Sequence, residues 1–329
     1  MKSGLSLIAL ALAAAAPSVL YAQDKPADKA KAEKPADFEP QVRTTKLSGT
    51  FGGQRINYAA TIGETIIKNK DGVAEVAVVT TSYVKEPRDP SRPVTFLFNG
   101  GPGSGTVWLM MGAFGPKRVA INGTGVDDGA PPYPIVDNPD ALMDVTDVVF
   151  IDPPGTGFSH LIGKADPKDY YGVTQDAKLV AEVIRRWLND NGRWNSPKYL
   201  GGESYGTTRS AAVANQLMNE TYNDVALNGI ILISTVLDFA AGADTPGNEL
   251  SPITNLPSMA ATALYHGKAT ASSVEAFVEE ARQWAIGPYA TALLKGQKLQ
   301  GEERAAIRRD LARFTGLSET YLENADLRV

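Results

Sequence analysis

Tyr199-Leu200-Gly201-Gly202-Glu203-Ser204-Tyr205-Gly206 is the stretch on which the fold turns. It opens as a short apolar run suited to a buried strand, and a helix-like run, residues 209–218, follows it. Taken alone, a Gly-x-Ser-x-Gly pattern is weak, because small polar turns produce it often. Between a strand and a helix it describes a sharp, strained turn that lifts the serine oxygen above the end of a sheet. Ser204 is therefore the candidate nucleophile, with a plain structural turn as the alternative.

Outward from this turn, apolar runs at residues 94–98, 148–151, 198–200 and 230–233 fit short buried strands. Between the second and third, residues 174–191 carry Leu179, Val180, Val183, Ile184, Trp187 and Leu188 at helical spacing, one apolar face for a sheet. Residues 44–84 alternate apolar and polar, with turn signals at Gly52-Gly53 and Asp71-Gly72, and predict an antiparallel opening meander. Strands alternating with helices predict an α/β fold with a mainly parallel sheet covered on both sides. After about residue 240 the character changes. A polar connection at 242–257 precedes helical runs at 259–265, 272–294 and 302–314. They predict a helical cap or lid insertion, or else an ordinary helical layer.

At 329 residues the chain can bury one large core, or a core and an accessory lobe. With 32 Lys+Arg against 37 Asp+Glu the net charge is -5, and no basic block is interleaved with aromatics. Nucleic acid and an anionic membrane surface are thereby excluded as main partners. Residues 1–22 predict an export signal: Lys2 is the positive start, 5–16 the apolar run, and Tyr21-Ala22 precedes the cut. Leu20 departs from the small residue preferred there. The run is too short to span a bilayer, so no membrane insertion is expected once it is removed. The expected location is the periplasm or the exterior. Residues 23–41 form a Lys/Ala/Pro/Asp/Glu tether. The expected layout is signal 1–22, tether 23–41, α/β core 42–240 and cap 241–329. There is no cysteine and there are two histidines, so thiol chemistry is excluded and neither a metal nor another cofactor is expected.

Sites in open α/β sheets lie beyond the carboxyl ends of strands. One such end runs into Asn99-Gly100-Gly101-Pro102-Gly103-Ser104-Gly105, whose N–H groups can hold a developing oxyanion. A phosphate loop is the rival, but the lysine and Ser/Thr after the last glycine are missing; a structural turn is the plainer alternative. A second end leads into Asp152-Pro153-Pro154-Gly155-Thr156-Gly157-Phe158-Ser159, a rigid loop read as architectural. At the third, the N–H of Tyr205 is placed to help hold an oxyanion.

Together FNGGPGSG, IDPPGTGFS and GGESYG, in this order over about residues 75–265, resemble the serine carboxypeptidase family of α/β-hydrolases. The resemblance implies Ser204 as nucleophile and the backbone N–H groups of Gly101 and Tyr205 as oxyanion hole. It also implies that Asn99, Gly100 and Glu203 bind the free carboxylate of a peptide, so peptides with a free C-terminus are the expected partners. Two positions depart from the family. Leu97 stands where a tryptophan is common, and Ser104 stands where many relatives have a disulfide-forming cysteine. Two carboxylates that close are tolerated only when one carries a proton, so exopeptidase activity is expected to fall as pH rises towards neutrality. A buried structural role is the alternative for Glu203.

A serine nucleophile needs a histidine oriented by an acid. His160 precedes Ser204 and is out of order for this fold. Asp238 and His266 follow in the right order, but His266 ends a helical run with no later strand to deliver it to the sheet edge. They are weak candidates. The expectation is a chain truncated before its catalytic Asp and His, poorly active alone and exposing a sheet edge. An esterase or aminopeptidase of the same fold, or a catalytically silent peptide-binding relative, are the competing readings.

Overall fold

The computed structural model describes residues 38–121, 131–220, 222–240, 242, 245 and 247–329. The predicted export signal and most of the tether lie outside the described residues. The chain opens with β1 (Val42–Phe51), β2 (Gln54–Lys68) and β3 (Ala74–Glu86), an antiparallel meander. β4 (Val94–Phe98) follows, then a short α1 (Val107–Leu109) that widens into a π-helical turn at Met110–Phe114. β5 (Lys117–Val119) and β6 (Ile135–Asp137) pair in a small separate sheet. Next come β7 (Asp147–Ile151), β8 (His160–Leu161), α2 (Val173–Asp190), β9 (Lys198–Glu203), α3 (Tyr205–Met218) and β10 (Gly229–Ile233).

The large sheet runs β1-β2-β3-β7-β4-β9-β10, with β8 beside β3. β7, β4, β9 and β10 are mutually parallel, and the meander adds its antiparallel half through β3 and β7. The predicted fold class stands: this is an α/β-hydrolase-type sheet flanked by helices. Every residue of β4 and β7 is buried, as near-continuous apolar strands covered on both faces require. Phe96, Phe98, Val149, Ile151 and Leu200 point to the face covered by α2 and α3. Leu97, Val148 and Phe150 point to the other, where Phe51, Ile56, Tyr58 and Met143 meet them. α2 buries the stripe read from its periodicity, and Trp187 meets Phe96 edge to face at 5.5 Å. At the opposite end of the strands, buried Asp147 accepts from Arg193 Nη1 at 2.6 Å and Arg92 Nε at 3.0 Å.

After β10 the described residues are helical: α4 (Leu250–Tyr265), α5 (Val274–Trp284), a π-turn at Ala285–Tyr289, α6 (Ala290–Lys295), α7 (Gly301–Thr315) and α8 (Glu319–Asn324). They enclose a core of their own around Phe277, Tyr289, Leu311, Phe314 and Leu322. α4 begins well before the expected 259. Pro252 lies in its first turn, where no N–H is needed, and burial of Leu256, Ala260 and Ala263 carries the helix past Pro257. Among the described residues no helix is long and apolar enough to cross a membrane.

Candidate active site

Strand register brings the motifs together. Leu97 pairs with Gly201 and Phe98 with Gly202, so Asn99 and Glu203 leave the sheet side by side. β10 pairs on the far side of β9 and ends level with it, Ile233 opposite Glu203. Ser204 then sits between β9 and α3 with φ 57° and ψ −124°, a conformation that costs a non-glycine residue energy and that its surroundings must impose. They do so through hydrogen bonds: Ser204 N donates to the Ile233 carbonyl at 2.9 Å, and Thr207 Oγ1 donates to the Ser204 carbonyl at 2.7 Å. Thr207 Oγ1 also accepts from Val236 N at 2.8 Å, which ties the loop after β10 to the turn. A Cβ on Gly202 would lie 2.0 Å from the Gly206 carbonyl, so the turn closes only around glycine.

The loop after β4 closes the other side of the turn. A Cβ on Gly100 would fall 2.5 Å from Tyr205 N, which shows how closely this loop approaches the start of α3. No side chain caps α3, and Thr207 N donates to the Ser204 carbonyl at 2.9 Å. Ser104 N donates to the Gly100 carbonyl at 3.0 Å and closes the loop around Gly101. Asn99 Nδ2 donates to Glu203 Oε2 at 3.0 Å, while Asn99 Oδ1 accepts from Leu109 N at 3.0 Å. The structure therefore brings Asn99, Gly100, Gly101, Glu203, Ser204 and Tyr205 into one cluster. Leu97 turns away into the core beneath.

A second layer was not visible in the motifs. Arg209, one turn along α3, is buried, donates from Nε to Asp176 Oδ2 at 2.7 Å and from Nη1 to the Asn99 carbonyl at 2.6 Å. Its guanidinium also lies 5.0 Å from the centre of the Tyr205 ring and 5.5 Å from that of Phe98. Burial pushes the Asp176 carboxyl above its ordinary range, with Arg209 and Tyr205 pulling it back. Burial, then the charge of Asp176, raises the Tyr205 phenol and keeps it neutral. Asp152 accepts from Thr106 N and Thr106 Oγ1, both at 2.8 Å, and from Phe158 N at 3.3 Å, so it joins the glycine loop to the loop after β7. For Arg209 and Asp176 the signal was charge within a helix pattern; Asp152 stood in the quoted loop motif without an assigned role.

A family model for serine carboxypeptidases matches residues 82–280, more than half of the chain. The chain belongs to the serine carboxypeptidase family. Among solved structures it is similar to a prohormone-processing carboxypeptidase from Saccharomyces cerevisiae, at 16% identity and TM-score 0.44, over 84% of this chain and 53% of that one. A peroxisomal α/β-hydrolase, Lpx1, from the same yeast shares 13% identity at TM-score 0.31, over 68% and 51% of the two chains. Brefeldin A esterase, a bacterial homologue of human hormone sensitive lipase, shares 13% at TM-score 0.32, over 70% and 49%. The chain thus spans about half the length of these solved structures. No curated protein matches it.

The matched residues 82–280 include the whole cluster at Ser204. Among the described residues no hydrogen bond joins Ser204 Oγ to a histidine. His266 is exposed at the end of α4, its ring edge-on to Tyr265. Asp238 is exposed in the loop after β10 and accepts from Ala240 N at 2.9 Å. Neither is hydrogen-bonded to the other. His160 is exposed, with Nδ1 3.1 Å from the Phe158 carbonyl. No group of three His, Asp or Glu side chains among the described residues could hold a metal ion.

Proposed function

We propose that this chain serves as an exported serine-type carboxypeptidase acting on peptides with a free C-terminus, in the periplasm or outside the cell. Ser204 Oγ attacks the last peptide carbonyl; the C–N bond breaks, the amine leaves with a proton, and water hydrolyses the resulting ester. N–H groups of Gly101 and Tyr205 hold the oxyanion, where fixed donors contribute most. Asn99, Gly100 and Glu203 hold the terminal carboxylate. The observation that supports this reading is the Asn99–Glu203 hydrogen bond of 3.0 Å, set directly beside the strained serine.

Peptide acids, peptide amides and simple esters assayed in parallel test it, together with fluorophosphonate labelling. Labelling at Ser204 that is lost in Ser204→Ala, with peptide acids cleaved in preference to amides, is the expected result. Esters or amides cleaved as well as peptide acids would instead identify an esterase or aminopeptidase. A second reading, a silent peptide-binding relative, is favoured by one observation: no histidine among the described residues is hydrogen-bonded to Ser204. Slow turnover is expected on the first reading. Binding of peptide acids with no labelling at all would decide for the second.

A further inference from the structure

Ser204 is held on both sides of its backbone by one short segment of the loop after β10. Its N–H donates to the Ile233 carbonyl at 2.9 Å. Its carbonyl accepts twice from Thr207, from N at 2.9 Å and from Oγ1 at 2.7 Å. Thr207 Oγ1 in turn accepts from Val236 N at 2.8 Å. The bonds close a ring in which residues 233–236 hold the serine directly at one end and through a single hydroxyl at the other. Thr207 is 0% exposed. The segment has a strained member of its own, Ser234 at φ 50°, so two non-glycine residues at positive φ lie in one ring.

The directions of these bonds follow from the groups that make them. An N–H only donates, so Thr207 Oγ1 accepts from Val236 N and its own proton is free for the Ser204 carbonyl. The Val236 carbonyl lies farther off, at 3.3 Å, and accepts from Thr208 Oγ1 instead. A valine at 207 would have nearly the same shape. It would leave the Val236 N–H without its acceptor and take one of two bonds from the Ser204 carbonyl. A serine would keep both. Backbone strain persists only where the surroundings impose it, and the Thr207 N bond forms whatever side chain stands there. The hydroxyl is therefore the part of the hold that depends on residue type. Misplacing a reacting atom by about 1 Å can cost roughly a hundredfold in rate.

We propose that Thr207 is a positioning residue, whose hydroxyl couples the loop after β10 to the serine turn and keeps Ser204 in the strained conformation from which Oγ reacts. The role in reactivity rests on the peptidase reading of Ser204. It makes residues 233–236, which belong neither to the carboxylate pair nor to the glycine loop, part of what sets the serine's reactivity. Thr208 separates two effects, because its hydroxyl holds the same loop at the Val236 carbonyl and not the serine.

Second-order rates of fluorophosphonate labelling test it, measured on the whole protein at a temperature where circular dichroism shows every variant folded. Thr207→Val should label at least about tenfold more slowly, while Thr207→Ser and Thr208→Val should stay within about threefold of the wild type. A rate unchanged in Thr207→Val, or a fall of equal size in Thr207→Ser or in Thr208→Val, would overturn the proposal. Amide exchange read by NMR is scored separately and needs no reactive serine. The N–H groups of Ser204 and Val236 should be protected in the wild type and exchange about tenfold faster in Thr207→Val; exchange unchanged by the substitution would also overturn it. If the wild type does not label, the peptidase reading falls, and exchange alone decides whether Thr207 holds the turn. If Thr207→Val does not fold, wild-type exchange decides: a Val236 amide as fast as one in free solvent would overturn the hold.

Discussion

Ser204 is held at positive φ by its neighbours, and so is the chemistry around it. The Arg209–Asp176 pair shows how. Arg209 grips the Asn99 carbonyl and α2 at once, so the residue that starts the glycine loop is fixed by a side chain on α3, the helix that follows Ser204. Arg209→Met would leave an uncompensated buried carboxylate, a change that costs about 3–5 kcal/mol. The pH dependence follows from the direction of the Asp176 shift. A carboxyl raised in the folded state holds its proton more tightly there than in the unfolded chain. Its contribution to stability is full below the unfolded value and is lost as pH rises through the folded one. Arg209→Met removes the main opposing pull, so its destabilisation should be larger at pH 7 than at pH 4, read from urea midpoints. Glu203 gives a second prediction at this scale. If it helps to hold a substrate carboxylate, Glu203→Gln should lower the preference for peptide acids over peptide amides about tenfold, read from parallel assays. A preference unchanged in Glu203→Gln would remove Glu203 from carboxylate recognition.

Among the elements, α2 and β10 make a contrast. The apolar stripe of α2 is fully used, since Leu179, Val180, Val183, Ile184 and Leu188 all enter the core. β10 has the same apolar composition but is hydrogen-bonded to β9 alone in the sheet order. Its Ile231 and Leu232 are 39% and 40% exposed. An apolar edge strand of this kind is a template for pairing with another chain. Ile231→Lys places a charge on the edge and should lower concentration-dependent light scattering, with fluorophosphonate labelling of Ser204 unchanged. Scattering that does not respond would mean association runs through another surface.

Across the whole chain the apolar residues form separate cores. The sheet's two clusters draw on residues between Phe51 and Ile233, while the helical cluster draws on residues from Ile253 onward. Separate cores open separately when few apolar contacts bridge them. Trp284, stacked on Tyr289 at 5.1 Å, reports on the helical core, and Trp187 reports on the sheet. Urea denaturation followed by fluorescence should therefore show two transitions, one of which loses its signal in Trp284→Phe. A single coincident transition would show the cores to be coupled. Much of this was legible in the chain itself. Period 2 marked the meander, unbroken apolar runs marked the strands and period 3.6 marked α2, but the run at 230–233, expected to be buried, forms the exposed strand β10 because only β9 pairs with it. The glycine turns were legible too, because close backbone approach at Gly202 and Gly100 admits no other residue. The early start of α4 was hidden, since prolines signal a break locally while packing of Leu256 and Ala260 is a distant effect. Local sequence determined the strands, the serine turn and the glycine loop. Only tertiary structure decided that Asn99 meets Glu203 and that Arg209 reaches Asp176, because strand register and helix docking join residues about a hundred and about thirty positions apart, distances no local pattern encodes.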